Sequence, residues 1–128
     1  MPDHIQPTAS PIRALAAFLL GLFLVFVGVG KIWLDPASHV ATFQEYGLPD
    51  FMPYLTGALE IAAGLMLIVP ALRTAGGLLT ALLMTAATAV HWTVGDGFGQ
   101  WWLPLTLALV GILIVWARPV VLPVGNSD

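Results

Sequence analysis

Four long apolar runs, parted by short clusters of proline, glycine and charge, set the pattern of this chain. From Ile12 to Leu34 the sequence is almost unbroken apolar, 23 residues against the roughly 20 that span a hydrocarbon core. The run leaves through Lys31-Ile32-Trp33-Leu34-Asp35-Pro36 instead of a small-residue cleavage site, so it reads as a retained helix and not a signal peptide. A second run covers about residues 53–69 and stops at Pro70, a third covers about 73–94, and a fourth covers 101–117, close to the shortest length that still crosses. Between the first two, Asp35-Pro36 has the form of an N-cap with proline at the first helical position, and Gly47 that of a stop. That predicts a short interfacial helix with Ala37, Val40, Phe43 and Tyr46 toward the membrane surface. Gly95-Asp96-Gly97-Phe98-Gly99 is expected to be a flexible loop, with Asp96 as turn chemistry. The polar, proline-bearing stretches 1–11 and 119–128 are expected to be tails flanking a transmembrane domain over 12–118. The fold class is therefore all-α, a polytopic membrane four-helix bundle with a short interfacial helix between spans one and two.

Composition narrows the function classes. Of 128 residues 59% are hydrophobic and 9% charged, where a soluble domain carries about 25% charged residues. After the apolar runs are set aside, little but short loops remains to house a soluble catalytic domain. The formal charge is -3 and no Lys/Arg cluster occurs, so nothing is available to neutralise a row of phosphates and nucleic acid is excluded as a partner. With no cysteine, disulfides, thiol relays and Cys-ligated zinc or iron-sulfur clusters are excluded within the chain. No Cys-x-x-Cys-His haem attachment exists either, so a cofactor would be noncovalent.

Basic residues give an expected orientation. Arg13, Arg73 and Arg118 flank the ends on one side and only Lys31 lies near the other, which puts both termini in the cytoplasm. Trp33, Trp92, Trp101 and Trp102 then fall at the outer boundary and Trp116 at the inner one, where amphipathic rings favour the interface.

Ionisable residues at bilayer depth are costly unless paired or wet, so they mark candidate sites. Lys31, Glu60 and His91 lie on spans one, two and three, and counting from the ends of the runs puts all three in the outer half. Each continues a stripe of small residues. On span one the stripe is Gly21, Leu24, Gly28 and Lys31; on span two Thr56, Gly57, Glu60, Ala63 and Gly64; on span three Gly77, Ala81, Met84, Thr88 and His91. Small residues mark close helix approach in lipid, so each ionisable group is expected to face the bundle and the three to converge on an outward-opening pocket. Glu60 and His91 are the candidates for proton exchange; Lys31, Glu60 and His91 are the candidate ligand-binding set. Each has a bland alternative: Lys31 snorkels, Glu60 is an interhelical tie, and His91 beside Trp92 is interfacial. His39 and Glu45 are expected on a solvated face of the short helix. A metal site from His91, Glu60 and His39 is not expected, because no close ligand spacing occurs. Gly28-Val29-Gly30-Lys31 lacks the strand and the following Ser or Thr of a phosphate loop.

Gly28-Val29-Gly30-Lys31 at the exit of span one, Gly47-Leu48-Pro49, Gly57-Ala58-Leu59-Glu60 with Gly64, Arg73 opening span three and His91 closing it together resemble the DoxX family and the wider DoxX-like group of small four-helix membrane proteins. That group includes a maturation protein for methylamine dehydrogenase. The resemblance runs from about Arg13 to Ala117, and Lys31, Glu60, Arg73 and His91 match the family's polar positions. It implies a bacterial-type inner-membrane bundle associated with redox enzymes, and in the relative that names the family, a subunit of a thiosulfate:quinone oxidoreductase. The expected function is a membrane subunit or accessory component of a redox system, an oxidoreductase subunit if catalytic, taking a quinone in the outer pocket. The bilayer, a partner redox enzyme and a second copy are the expected partners. A noncatalytic assembly protein is the alternative; a small transporter or proton-coupled channel is a third reading, without an inverted repeat to support it.

Overall fold

The structure, a computed structural model, describes residues 10–117; the expected tails and Arg118 lie almost wholly outside that range. Helix α1 spans Pro11–Val29 and runs on through a single π-helical turn, Gly30–Leu34. The short α2 covers Pro36–Glu45, α3 covers Met52–Ile68, a 3-10 turn covers Pro70–Leu72, α4 covers Arg73–Thr93 and α5 covers Phe98–Trp116. Three segments, Pro11–Leu34, Pro70–Thr93 and Phe98–Trp116, are long and apolar enough to cross a membrane. Helix α3 is apolar and 17 residues long, about 26 Å at ~1.5 Å per residue.

Local chemistry explains the ends. Ser10 accepts from the Arg13 backbone N–H at 3.4 Å to start α1, and Asp35 accepts from the Ser38 N–H at 3.4 Å to start α2, with Pro36 first in the helix. Helix α2 stops at Gly47, whose φ of 73° turns the chain back so that Gly47 N–H donates to Gln44 O and Leu48 N–H to Phe43 O. The same motif ends α4: at Gly95, φ 79°, the Gly95 N–H donates to Trp92 O and the Asp96 N–H to His91 O. The loop expected over residues 95–99 is shorter than its composition suggests. Helix α5 starts at Phe98 because that extra turn lets Phe98 pack edge-on against Trp101 at 4.9 Å, with Trp101 against Trp92 at 5.5 Å.

Packing is inside out relative to a soluble bundle. Large apolar side chains such as Phe26, Leu82 and Leu113 are 68%, 70% and 63% exposed, while the core is made of Ala17, Leu20, Leu24, Ala63, Leu67, Met84, Ala108 and Ile114. Lipid tails are as apolar as leucine, so close backbone packing must hold the helices together. Helices α1 and α3 cross antiparallel at two glycine pairs. A Cβ on Gly21 would come within 2.6 Å of the Gly64 carbonyl oxygen, and one on Gly28 would overlap the carbonyl of Gly57. Gly77 and Gly111 make the equivalent crossing between α4 and α5. Helix α3 packs on α4 as well as α1, whereas α1 and α5 touch only sparingly. The described chain begins and finishes at one end of the bundle, where Arg13 Nε donates to Ile114 O at 2.7 Å; α2 lies at the opposite end.

Candidate functional site

The stripes read from the sequence face the interior: Gly21, Leu24 and Gly28 of α1, and Gly57, Glu60, Ala63 and Gly64 of α3, are all buried. Lys31 sits on the π turn closed by Asp35 N–H to Gly30 O at 3.0 Å. Its Nζ donates to Glu60 Oε1 at 2.7 Å, and the two side chains are 14% and 5% exposed. The snorkelling reading of Lys31 does not survive this geometry, while the interhelical tie at Glu60 is compatible with it. Glu60 is the midpoint of Met52–Ile68, within one residue of the place the expected run 53–69 gave it.

The carboxylate is only half used. Glu60 Oε2 is buried and has no hydrogen-bond partner among the described residues, a state that costs about 1 to 3 kcal/mol, more for a charged group, unless something else satisfies it. On the α2 side, Lys31 Nζ lies 5.8 Å from the centre of the Phe43 ring, so α2 lies over the pair in place of the open hollow expected there.

His91 is not in this pair. Its Nδ1 lies 2.7 Å from Asp96 Oδ2, an approach set up by the backbone return at Gly95. A carboxylate only accepts, so Nδ1 carries the proton of this contact. The Tyr46 ring meets the imidazole edge-on with centroids 5.3 Å apart. Burial, then the facing Asp96 carboxylate, then Glu45, hold the Tyr46 hydroxyl above its ordinary range. Two polar groups therefore stand where one was expected, Lys31–Glu60 within the bundle and His91–Asp96–Tyr46 at its rim, joined through Phe43, which packs on Tyr46 at 6.5 Å.

Tyr46, Asp96 and His39 were not in the expected set. His39, Phe43 and Tyr46 recur at four and three residues, one face of α2, and all three are partly buried; that spacing was the available signal. Of the two residues assigned to a solvated face, His39 is partly buried and only Glu45 is exposed. Phe43 and Tyr46 turn toward the bundle, not the membrane surface, because Lys31 and His91 offer them a cation and an aromatic edge. Asp96, read as turn chemistry, is a turn residue that also reaches a histidine. Among the described residues no three metal-ligating side chains gather.

The arrangement presents a primary ammonium with N–H groups to spare and a buried carboxylate oxygen with no donor, side by side. It holds donors and acceptors for a small polar group and positions for protons. The comparison with curated proteins gave no match. A model of the DoxX-like family matches residues 15–117, from the second turn of α1 to just past α5, taking in Lys31, Glu60 and His91. The glycine crossings, the buried Lys31–Glu60 pair and this match along most of the chain's length agree, and the chain belongs to the DoxX-like family.

Proposed function

We propose that this DoxX-like protein is a membrane subunit or accessory component of a redox system, and that it takes a quinone head group beside Lys31 and Glu60. The observation that carries the reading is Glu60 Oε2, a buried acceptor without a donor next to an ammonium. A quinone supplies a two-electron carrier that takes up and releases protons with its electrons. The two forms of the carrier fit the pair: Lys31 Nζ has N–H groups for a quinone carbonyl oxygen, and Glu60 Oε2 accepts from a hydroxyl of the reduced quinol. Glu60 accepts the proton a quinol hydroxyl gives up, Lys31 keeps the carboxylate oriented through Oε1, and Phe43 keeps water from the α2 side. His91, with Nε2 free, exchanges protons nearer the membrane surface. The terminal end, with Arg13 and Arg73, is assigned to the cytoplasmic side of a bacterial-type inner membrane.

A second reading has its own observation. The Lys31–Glu60 contact joins α1 to α3 next to the Gly28–Gly57 crossing, as a structural tie in a noncatalytic assembly protein would. Titrating a short-chain quinone into the full protein in lipid nanodiscs, with tryptophan fluorescence as readout, separates the two. Saturable quenching that weakens about tenfold or more in a folded Glu60→Gln protein, the loss of about 1.4 kcal/mol or more of binding, supports the quinone site. Equal binding by Glu60→Gln, or no saturation in the parent protein, rejects it in favour of the tie.

A further inference from the structure

At the terminal end of the bundle, away from the pair, Arg13 and Arg73 stand close together. Arg13 Nε donates to Ile114 O at 2.7 Å and its Nη2 to Thr74 Oγ1 at 3.2 Å; Thr74 is the neighbour of Arg73, whose Nε donates to Leu67 O at 3.2 Å. Each arginine thus satisfies a carbonyl in the last turns of an antiparallel neighbour, α5 for Arg13 and α3 for Arg73. A guanidinium has five N–H donors, so both retain donors after these bonds. Arg73 is 8% exposed, and Arg13 is partly exposed.

Nothing at this end balances them among the described residues. Asp35, Glu45, Asp50 and Asp96 lie at the α2 end and Glu60 lies at mid-span. The N-termini of α1 and α4 and the C-termini of α3 and α5 meet at this end, so the helix dipoles largely offset one another. Beside Arg13, where α1 and α5 touch only sparingly, a cleft of about 380 Å³ opens. Its mouth carries Ser10 and Arg13, and Ile12, Ala16, Val110 and Leu113 form its apolar walls.

We infer that this cleft binds an anionic phospholipid, its phosphate against Arg13 and one acyl chain along the α1–α5 walls. Charge and shape fit that occupant together. A partly exposed arginine with no acid described at its end of the bundle calls for an anion at headgroup level, and the apolar walls beside it call for hydrocarbon and not for a free ion. Basic pockets between membrane helices commonly take anionic headgroups. The inference is independent of any quinone site.

Native mass spectrometry of the full chain, released from micelles containing equal phosphatidylglycerol and phosphatidylcholine, tests it. The parent protein is expected to retain phosphatidylglycerol at least fivefold more than phosphatidylcholine, roughly the factor one basic residue contributes near an anionic surface. Arg13→Gln is expected to lose most of that preference. Ala16→Trp fills the cleft while keeping both arginines in the sequence, and is expected to lose it too, which decides the matter if Arg13→Gln does not fold. Inorganic phosphate added at millimolar concentration is expected to leave the lipid in place. Equal retention of the two lipids, phosphatidylglycerol retained undiminished by Ala16→Trp, or displacement by inorganic phosphate would each overturn the proposal.

Discussion

Lys31 and Glu60 are each buried only because the other is there. Removing one member of a buried ion pair leaves an uncompensated charge and costs about 3 to 5 kcal/mol, whereas replacing both with apolar residues of similar size is often nearly neutral. Lys31→Met and Glu60→Leu are therefore each expected to lower stability in that range, and the double variant by less than either; reversible unfolding in mixed micelles measures all three. Tyr46 gives a second expectation. Folding holds its hydroxyl above the ordinary phenol value of about 10, so in the intervening window the folded state keeps a proton that the unfolded state has lost. This contribution to stability is complete below about pH 10 and disappears as pH rises through the folded value. Ultraviolet titration should show a tyrosine ionising late, absent from Tyr46→Phe and shifted down in Asp96→Asn. Which residues were chemically expensive was legible in the sequence, since charge in an apolar run needs no coordinates to be noticed. Their partners were not. Whether Lys31 meets His91 or only Glu60 depends on the π turn and on how far α2 folds over the bundle, and neither follows from helical spacing.

The helices are set by glycine at two kinds of position. At Gly28 and Gly64 the requirement is room: a side chain at either would run into a backbone carbonyl of the opposing helix. Gly28→Val is expected to force α1 and α3 apart, break the Lys31–Glu60 contact beside it, and reduce disulfide trapping between cysteines placed at Val25 and Ile61. Gly95 is required for conformation. A side chain there in the left-handed region costs about 1 to 2 kcal/mol, and Gly95→Ala should also free the Asp96 carboxylate from His91, seen as a shift in the imidazole resonances. The positions of the four long helices were readable because apolar length and proline or glycine boundaries are local properties. The start of α5 was not, because glycine-rich sequence reads as loop unless the Phe98–Trp101–Trp92 contacts that reward an extra helical turn are known. The face of α2 was missed for a related reason: on composition Phe43 and Tyr46 suit the membrane surface and His39 a solvated face, and the three read as one stripe only once Lys31 and His91 are placed opposite Phe43 and Tyr46.

The molecule as a whole separates its chemistry along the bundle axis. Arginines that finish neighbouring helices gather at the end carrying the described termini, and the acidic and histidine-bearing groups gather toward α2, with Glu60 midway. By the bias of basic residues toward the cytoplasm, a cysteine introduced at Ser10 is expected to resist an impermeant maleimide added outside whole cells, and one at Gly97 to react. The reverse pattern would invert the assigned topology. The account depends most on Glu60, whose buried second oxygen is taken to face a ligand. Infrared difference spectroscopy of the protein in nanodiscs, recorded before and after adding a short-chain quinone, observes that carboxyl group directly. A change in the carboxyl or carboxylate bands that is present in the parent protein and missing from Glu60→Gln is the expected result. Bands that stay unchanged on quinone addition, or a change that persists in Glu60→Gln, would contradict it.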